Sequence, residues 1–254
     1  MNVVRSEWIK LWSVRSTGLA LGCAALFALG LGLSDTLGTV RAWDTMAAPD
    51  RAAFDAVGSS LSGLTFGQLA FGVLGVLAMS GEYGSGGILA TLTATPRRGV
   101  VFAAKVLVVG GTTLVVGQVL TFGAFAVGQA VLARHHLGVS LGDPGVFRAV
   151  ASAGLCLGVV ALVGLGLGAL IRHGAGAIAA LIGLVFLAYG AARAVEGWSY
   201  LPSKLLLSNA EDVVAEVHAV AVKPRLPSLT LAYVDLALYL VVVVGLGAWR
   251  ARRD

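Results

Sequence analysis

Apolar residues run almost without charge over six stretches of this chain, 17–35, 61–80, 105–132, 149–171, 174–193 and 229–249. Each is about the twenty residues a helix needs to cross the hydrocarbon core of a bilayer. The pattern therefore predicts six transmembrane helices. The third stretch is longer than a straight crossing requires, so it should tilt or project beyond the bilayer. Arg172, His173 and Gly174 alone join the fourth and fifth, and so short a connection forces an antiparallel hairpin. Ahead of the first span, Val4, Trp8, Leu11 and Trp12 recur at i, i+4, i+7 and i+8, with Arg5, Glu7, Lys10 and Arg15 off or beside that stripe. A basic amphipathic helix over 2–15, carrying Trp8, Lys10, Leu11 and Trp12, is expected to lie in the membrane interface.

Two connections have helical patterns of their own. In 81–104, Ile88, Leu89 and Leu92 share one face of a short helix that Pro96 must end. Glu82 lies ahead of it, where a helix N-terminus favours a carboxylate, and Gly84, Gly86 and Gly87 free the backbone between membrane and helix. In 196–228, Leu206, Ala210, Val213, Val214, Val217 and Val220 recur at helical spacing with Glu211, Asp212 and Glu216 opposite, so one or two short amphipathic helices are expected before the last span. The expected architecture is all-α: a single transmembrane domain, 1–254, with an interfacial N-terminal helix, six spans, a helix between spans two and three, and short helices before span six.

Composition agrees. The chain is 57% hydrophobic and 12% charged, with a mean hydropathy of +0.89, outside the range of soluble domains. Many of its 35 glycines lie inside apolar runs, and Gly63 with Gly67, Gly154 with Gly158 and Gly164 with Gly168 form small-residue pairs suited to close helix packing. The basic residues cluster at the ends of apolar runs, so the pI of about 9.6 reflects membrane topology rather than nucleic-acid binding. With the N-terminus inside, Arg5, Lys10, Arg15, Arg97, Arg98, Lys105, Arg172, Arg250, Arg252 and Arg253 fall on the inner side against only Glu7, Glu82 and Asp254. Both termini and 81–104 are then expected in the cytoplasm, and 196–228 outside.

Candidate chemistry is sparse. Cys23 and Cys156 lie in apolar segments and read as buried free thiols. His135 and His136 are adjacent, hence divergent on a helix, with no third ligand at metal spacing. Asp235 reads either as a water-reachable carboxylate at the edge of the last span or as a substrate contact. Phosphate-loop, zinc-protease and nucleophile-elbow motifs are absent, so no catalytic residue, cofactor or metal is assigned to this chain and it is not read as an enzyme. The segment around 81–104 is either a plain basic hairpin or a docking surface. A carboxylate, a glycine hinge, an apolar face and a Pro-Arg-Arg exit in one order point to docking.

Four stretches carry a family resemblance: E-W-I-K-L-W-S-V-R-S-T near the start, S-G-E-Y-G-S-G-G-I-L-A-T-L after the second span, T-P-R-R-G-V-V-F-A-A-K beyond it, and the A-W-R-A-R-R-D end. Together they resemble the permease subunits of type-2 ATP-binding-cassette (ABC) exporters in their actinobacterial form. The resemblance implies a coupling helix between spans two and three that docks a cytosolic ATPase, which would bind the ATP and Mg. It also implies a second permease copy or paralogue in a dimer, contact with membrane lipid, and residence in the plasma membrane. Glu82, Gly84 and Gly87 match the family's glutamate-glycine segment, and Pro96, Arg97, Arg98 and Lys105 its basic exit. Tyr83, Ile88, Leu89 and Leu92 complete the expected ATPase-coupling residues. Ser85-Gly86-Gly87-Ile88 departs from the glycine-threonine turn frequent in relatives. The implied function is export of a hydrophobic or amphipathic drug, antibiotic, peptide or lipid; the alternative is a sensor or immunity component that binds an antimicrobial without moving it.

Overall fold

Long runs of Leu, Val, Ala and Gly can satisfy their backbone in lipid only internally, and helices do so without a partner strand. The computed structural model describes residues 3–84, 97–194, 199–217 and 226–253. Among these every regular element is helical, and five helices are long and apolar enough to cross a membrane: Arg15–Thr45, Leu64–Gly84, Arg98–His135, Val146–Ile171 and Leu229–Ala251. The chain is an all-α polytopic membrane protein.

In chain order the helices are α1 (Val3–Ser13), α2 (Arg15–Ala42), α3 (Ala48–Ala52), α4 (Ala56–Leu61), α5 (Leu64–Gly84), α6 (Arg98–Leu132), α7 (Val146–Ile171), α8 (Gly174–Ile182), α9 (Ala188–Ala194), α10 (Leu201–Lys204), α11 (Leu207–Ala215) and α12 (Leu229–Arg253). A π-helical turn over Gly183–Leu187 links α8 to α9. At 35 residues, α6 is about 52 Å long, and so overruns a straight crossing as its sequence predicts.

The centre of the molecule is α7, buried along its length from Val146 to Ala169. Three other long helices, α5, α6 and α12, pack around it. Glycine sets the tightest crossing: a Cβ on Gly75 of α5 would overlap the carbonyl of Ala161, and one on Gly164 of α7 would overlap that of Gly72. Gly63 and Gly67 likewise meet the backbone of α2 at Phe27 and Ala24, as the small-residue spacing predicts. The reversal from α7 to α8 takes two residues, Arg172 in the left-handed region (φ 59°) and His173, whose Nδ1 accepts from Gly176 N at 3.3 Å. Two of the glutamines within the apolar run are spent on structure. Gln118 donates to Ala151 O, while Gln129 ties Ala56 and Ser60 of α4 to the turn at Val139.

Several expectations change. Cys23 is exposed on α2 rather than buried. Asp235 is only 2% exposed, so it is not a water-reachable edge residue; it shares a face of α12 with buried Ala232 and Leu236, which join Leu207, Ala210 and Val214 of α11 in one apolar cluster. Glu211 is not opposite the apolar face of α11 but within its buried side, at 8% exposure. Arg148 of α7 fixes the C-terminal end of α11 by donating to Val214 O and Glu216 O at 2.9 and 2.5 Å.

Candidate functional site

Helix α1 ends at Val14, whose extended backbone (φ −94°, ψ 126°) breaks it from α2, and Thr17 Oγ1 secures the corner by donating to Leu11 O at 2.5 Å. The helix is two-faced in a way its stripe does not foretell. Glu7 and Leu11 are buried against the protein, whereas Trp8 and Trp12 are about half exposed and pair with each other, ring centroids 5.8 Å apart. The indoles thus stand on the outer face of α1, while Leu11 serves the core.

Glu7 does not enter the protein alone. The last turn of α5 brings Glu82, and the third turn of α6 brings Lys105, to the same point. Lys105 Nζ donates to Glu7 Oε2 at 2.5 Å and to Glu82 Oε1 at 2.9 Å. Lys10 Nζ donates to Glu7 Oε1 at 2.7 Å and to Glu82 Oε1 at 3.1 Å. The four groups form a closed ring of alternating charge that joins α1, α5 and α6. It carries no net charge, so its members can be withdrawn from water together.

Their burial decides what the ring is worth. The Glu7 side chain is 3% exposed and that of Lys105 6%. An exposed ion pair adds at most about 1 kcal/mol, but removing one partner of a buried pair leaves the other charge uncompensated and costs about 3–5 kcal/mol. Lys10 lies at the open edge. Burial acts to lower the pKa of its ammonium, but hydrogen bonds and proximity to Glu7 and Glu82 outweigh that and hold it above the ordinary lysine value.

The ring forms one wall of a cavity of about 530 Å³ whose other walls are mostly apolar, with Leu11, Val14, Leu74, Leu77, Val108 and Val109, beside the hydroxyl residues Ser13, Ser16 and Thr17. Among the described residues, Glu82 Oε2 is buried with no hydrogen-bond partner. Beside the ring, Tyr83 stacks under the guanidinium of Arg172, 5.1 Å from the ring centroid, which ties the end of α5 to the α7–α8 reversal.

The structure therefore unites Glu82, Lys105, Lys10 and Leu11 around one cavity and sets Tyr83 next to it. Trp8 and Trp12 stand apart on the outer face of α1. Arg97 is exposed and Arg98 half-buried at the start of α6. α5 runs on through Gly84, so Gly84 is helical rather than a hinge, and the charge of Glu82 is met by Lys10 and Lys105. The expected apolar helix face at Ile88, Leu89 and Leu92, with Gly87 and Pro96, lies outside the described residues. Glu7 is the ring member that the sequence pattern misses. Its signal is the i, i+4 relation to Leu11, which places both on one side of α1.

Among the described residues no group of three His, Cys, Asp or Glu side chains is placed to hold a metal ion. Neither family models nor curated proteins yield a match to this chain.

Proposed function

We propose that this protein is the permease subunit of an ABC exporter, driven by a separate cytosolic ATPase that binds ATP and Mg. The observation that carries the reading is the ionic ring. It flanks the segment 85–96, with Glu82 three residues before it on α5 and Lys105 nine residues after it on α6, and extends to α1. Force applied to that segment by a soluble partner would enter three helices at once through a buried joint rather than be lost in a loose loop. Five long apolar helices and a resemblance concentrated in the same segment agree with it.

In the same reading the helical stretch from α8 to α9 makes a sixth crossing, both termini are cytoplasmic in the plasma membrane, and two copies or paralogues pair. Closure of the ATPase on ATP rocks the helices between inward- and outward-open states, a shift between arrangements that the ATP-bound partner binds differently. The exported substrate is hydrophobic or amphipathic, since the spans offer mostly apolar surface.

Copurification with the ATPase, followed by ATP hydrolysis in lipid, tests this. Glu82→Lys puts three ammoniums around Glu7 and is expected to abolish coupled hydrolysis while the permease still inserts. The exchange of Glu82 and Lys105 alone leaves like charges against Glu7 and Lys10, so it should not rescue. Exchanging all four members restores every opposite contact and should recover a measurable part. Normal coupling in Glu82→Lys would sink the reading.

A further inference from the structure

The end of α5 opposite the ring opens on a second cavity, of about 360 Å³, between α4, the first turns of α5, the middle of α7, and α11. It lies some twenty residues of helix, about 30 Å, from Glu82. Its volume falls within the range of small-molecule sites. Leu61, Leu64 and Leu157 supply apolar wall, while the charged lining residues, Asp55, Glu211, Asp212 and Glu216, are all acidic, and no described residue lining it is basic.

Glu211 sets this cavity apart from a mere acidic patch. It lies on the face of α11 formed by Leu207, Ala210 and Val214, which packs into the core, so its carboxylate is carried inward with them. It is more than nine-tenths buried, and its Oε1 has no hydrogen-bond partner among the described residues. Two nearby donors are committed elsewhere. Arg148 is spent on the carbonyls of Val214 and Glu216, and the Asn209 amide donates to Ser203 O at 2.6 Å. Asp55 caps α4 by accepting from Val57 N. Ser62 Oγ, also lining the cavity, is buried without a hydrogen-bond partner among the described residues. Burial, with the adjacent Asp212 charge second, pushes the Glu211 carboxyl well above the usual carboxylate range, as expected where the described residues lining the site supply no counter-charge.

We infer that this cavity binds a lipophilic organic cation, its positive centre against Glu211 and its apolar body against Leu61, Leu64 and Leu157. A metal ion is not the ligand favoured, because among the described residues the carboxylates are not grouped as a coordination set. An anion would meet only like charge, and a neutral apolar molecule would leave Glu211 unanswered. That the bound cation is also the exported molecule rests on the permease reading, whereas binding itself rests on the cavity alone.

The test is therefore made without any ATPase. Binding of labelled tetraphenylphosphonium, with tetraphenylborate as the anion of like shape, is measured on the protein in lipid nanodiscs, beside the Glu211→Gln and Thr65→Trp variants and the Asp50→Asn control on exposed α3. Saturable phosphonium binding is expected, weakened at least tenfold by Glu211→Gln, obstructed by Thr65→Trp at the cavity wall and unchanged by Asp50→Asn. Thr65→Trp keeps the carboxylate, so it separates occupancy of the cavity from simple charge attraction. Absence of saturable phosphonium binding, equal binding by Glu211→Gln, or displacement by tetraphenylborate would overturn the inference. Failure of ATPase coupling with binding intact would count against the permease reading only.

Discussion

A carboxyl buried without a counter-charge is costlier ionised than neutral, and among the described residues no basic group lines the cavity beside Glu211. Its ordinary value is 4.5, and in the folded chain it lies well above that. The folded state therefore holds a proton that the unfolded state releases. Its contribution to stability is fully present below the ordinary value and is lost as pH rises through the raised one. Asp212 on the same helix, Glu216 just beyond it, Asp55 from α4 and Cys156 from α7 line the same cavity, so among the described lining residues no cation reverses the sign. Glu211→Gln keeps the shape without the charge and should melt a few degrees higher than the natural protein at pH 8. The gap should close towards pH 5, as thermal unfolding across that range would register; a lower melting point at pH 8 would contradict it. The sequence stripe starting at Leu206 puts Glu211 on the polar side. Counted from Leu207, with 100° per residue, Glu211 falls about 40° from that core residue and inside the apolar arc. Glu7 is hidden for the same reason: a charged residue on a buried face looks like a flaw in the pattern until its partners from other helices are known.

Among the elements, the long helices are legible because each must be apolar around its circumference to suit lipid or a neighbour, and that leaves a run too long for any soluble strand or core helix. Their ends are less so. α5 carries Glu82 and α6 carries Lys105 inside their helical runs, where the two charges neutralise each other. Close packing can be inferred from small-residue spacing, but not which pair comes closest. The α5–α7 crossing is where it matters. Gly75→Ala would press a Cβ into the Ala161 carbonyl, forcing a backbone shift of a kind that costs about 1–3 kcal/mol or more. Gly111→Ala on α6 meets open space and gains helix propensity of nearly 1 kcal/mol. The first substitution is expected to lower the melting temperature of the purified protein by several degrees, and the second to leave it equal or higher. If both behaved alike, close approach at Gly75 would not be a determinant of the fold.

At the scale of the whole molecule, α5 links two dissimilar cavities, one walled by a neutral ring of four charges and one by carboxylates that include buried Glu211, with α7 buried beside it. A push at the ring end would move the helix that also forms the rim of the acidic cavity, which is the geometry coupled transport needs. The scheme works only if the two ends face opposite sides of the membrane. Gly84 and Arg97 are exposed at the ring end, and Asp143 and Leu201 are exposed in the segments assigned to the other side. With Cys23 replaced by Ser and Cys156 by Ala, single cysteines at these four positions can be probed with a membrane-impermeant maleimide. Cysteines at 143 and 201 should be labelled in intact cells, and those at 84 and 97 only in inverted vesicles. The charge pattern supports this direction, because Arg5, Arg97, Arg172 and Arg250 gather at the ring end and translocating them would oppose the positive-inside bias. Labelling of position 84 or 97 from outside would place the ring where no ATPase can reach it. The joint would then stabilise the fold without transmitting work.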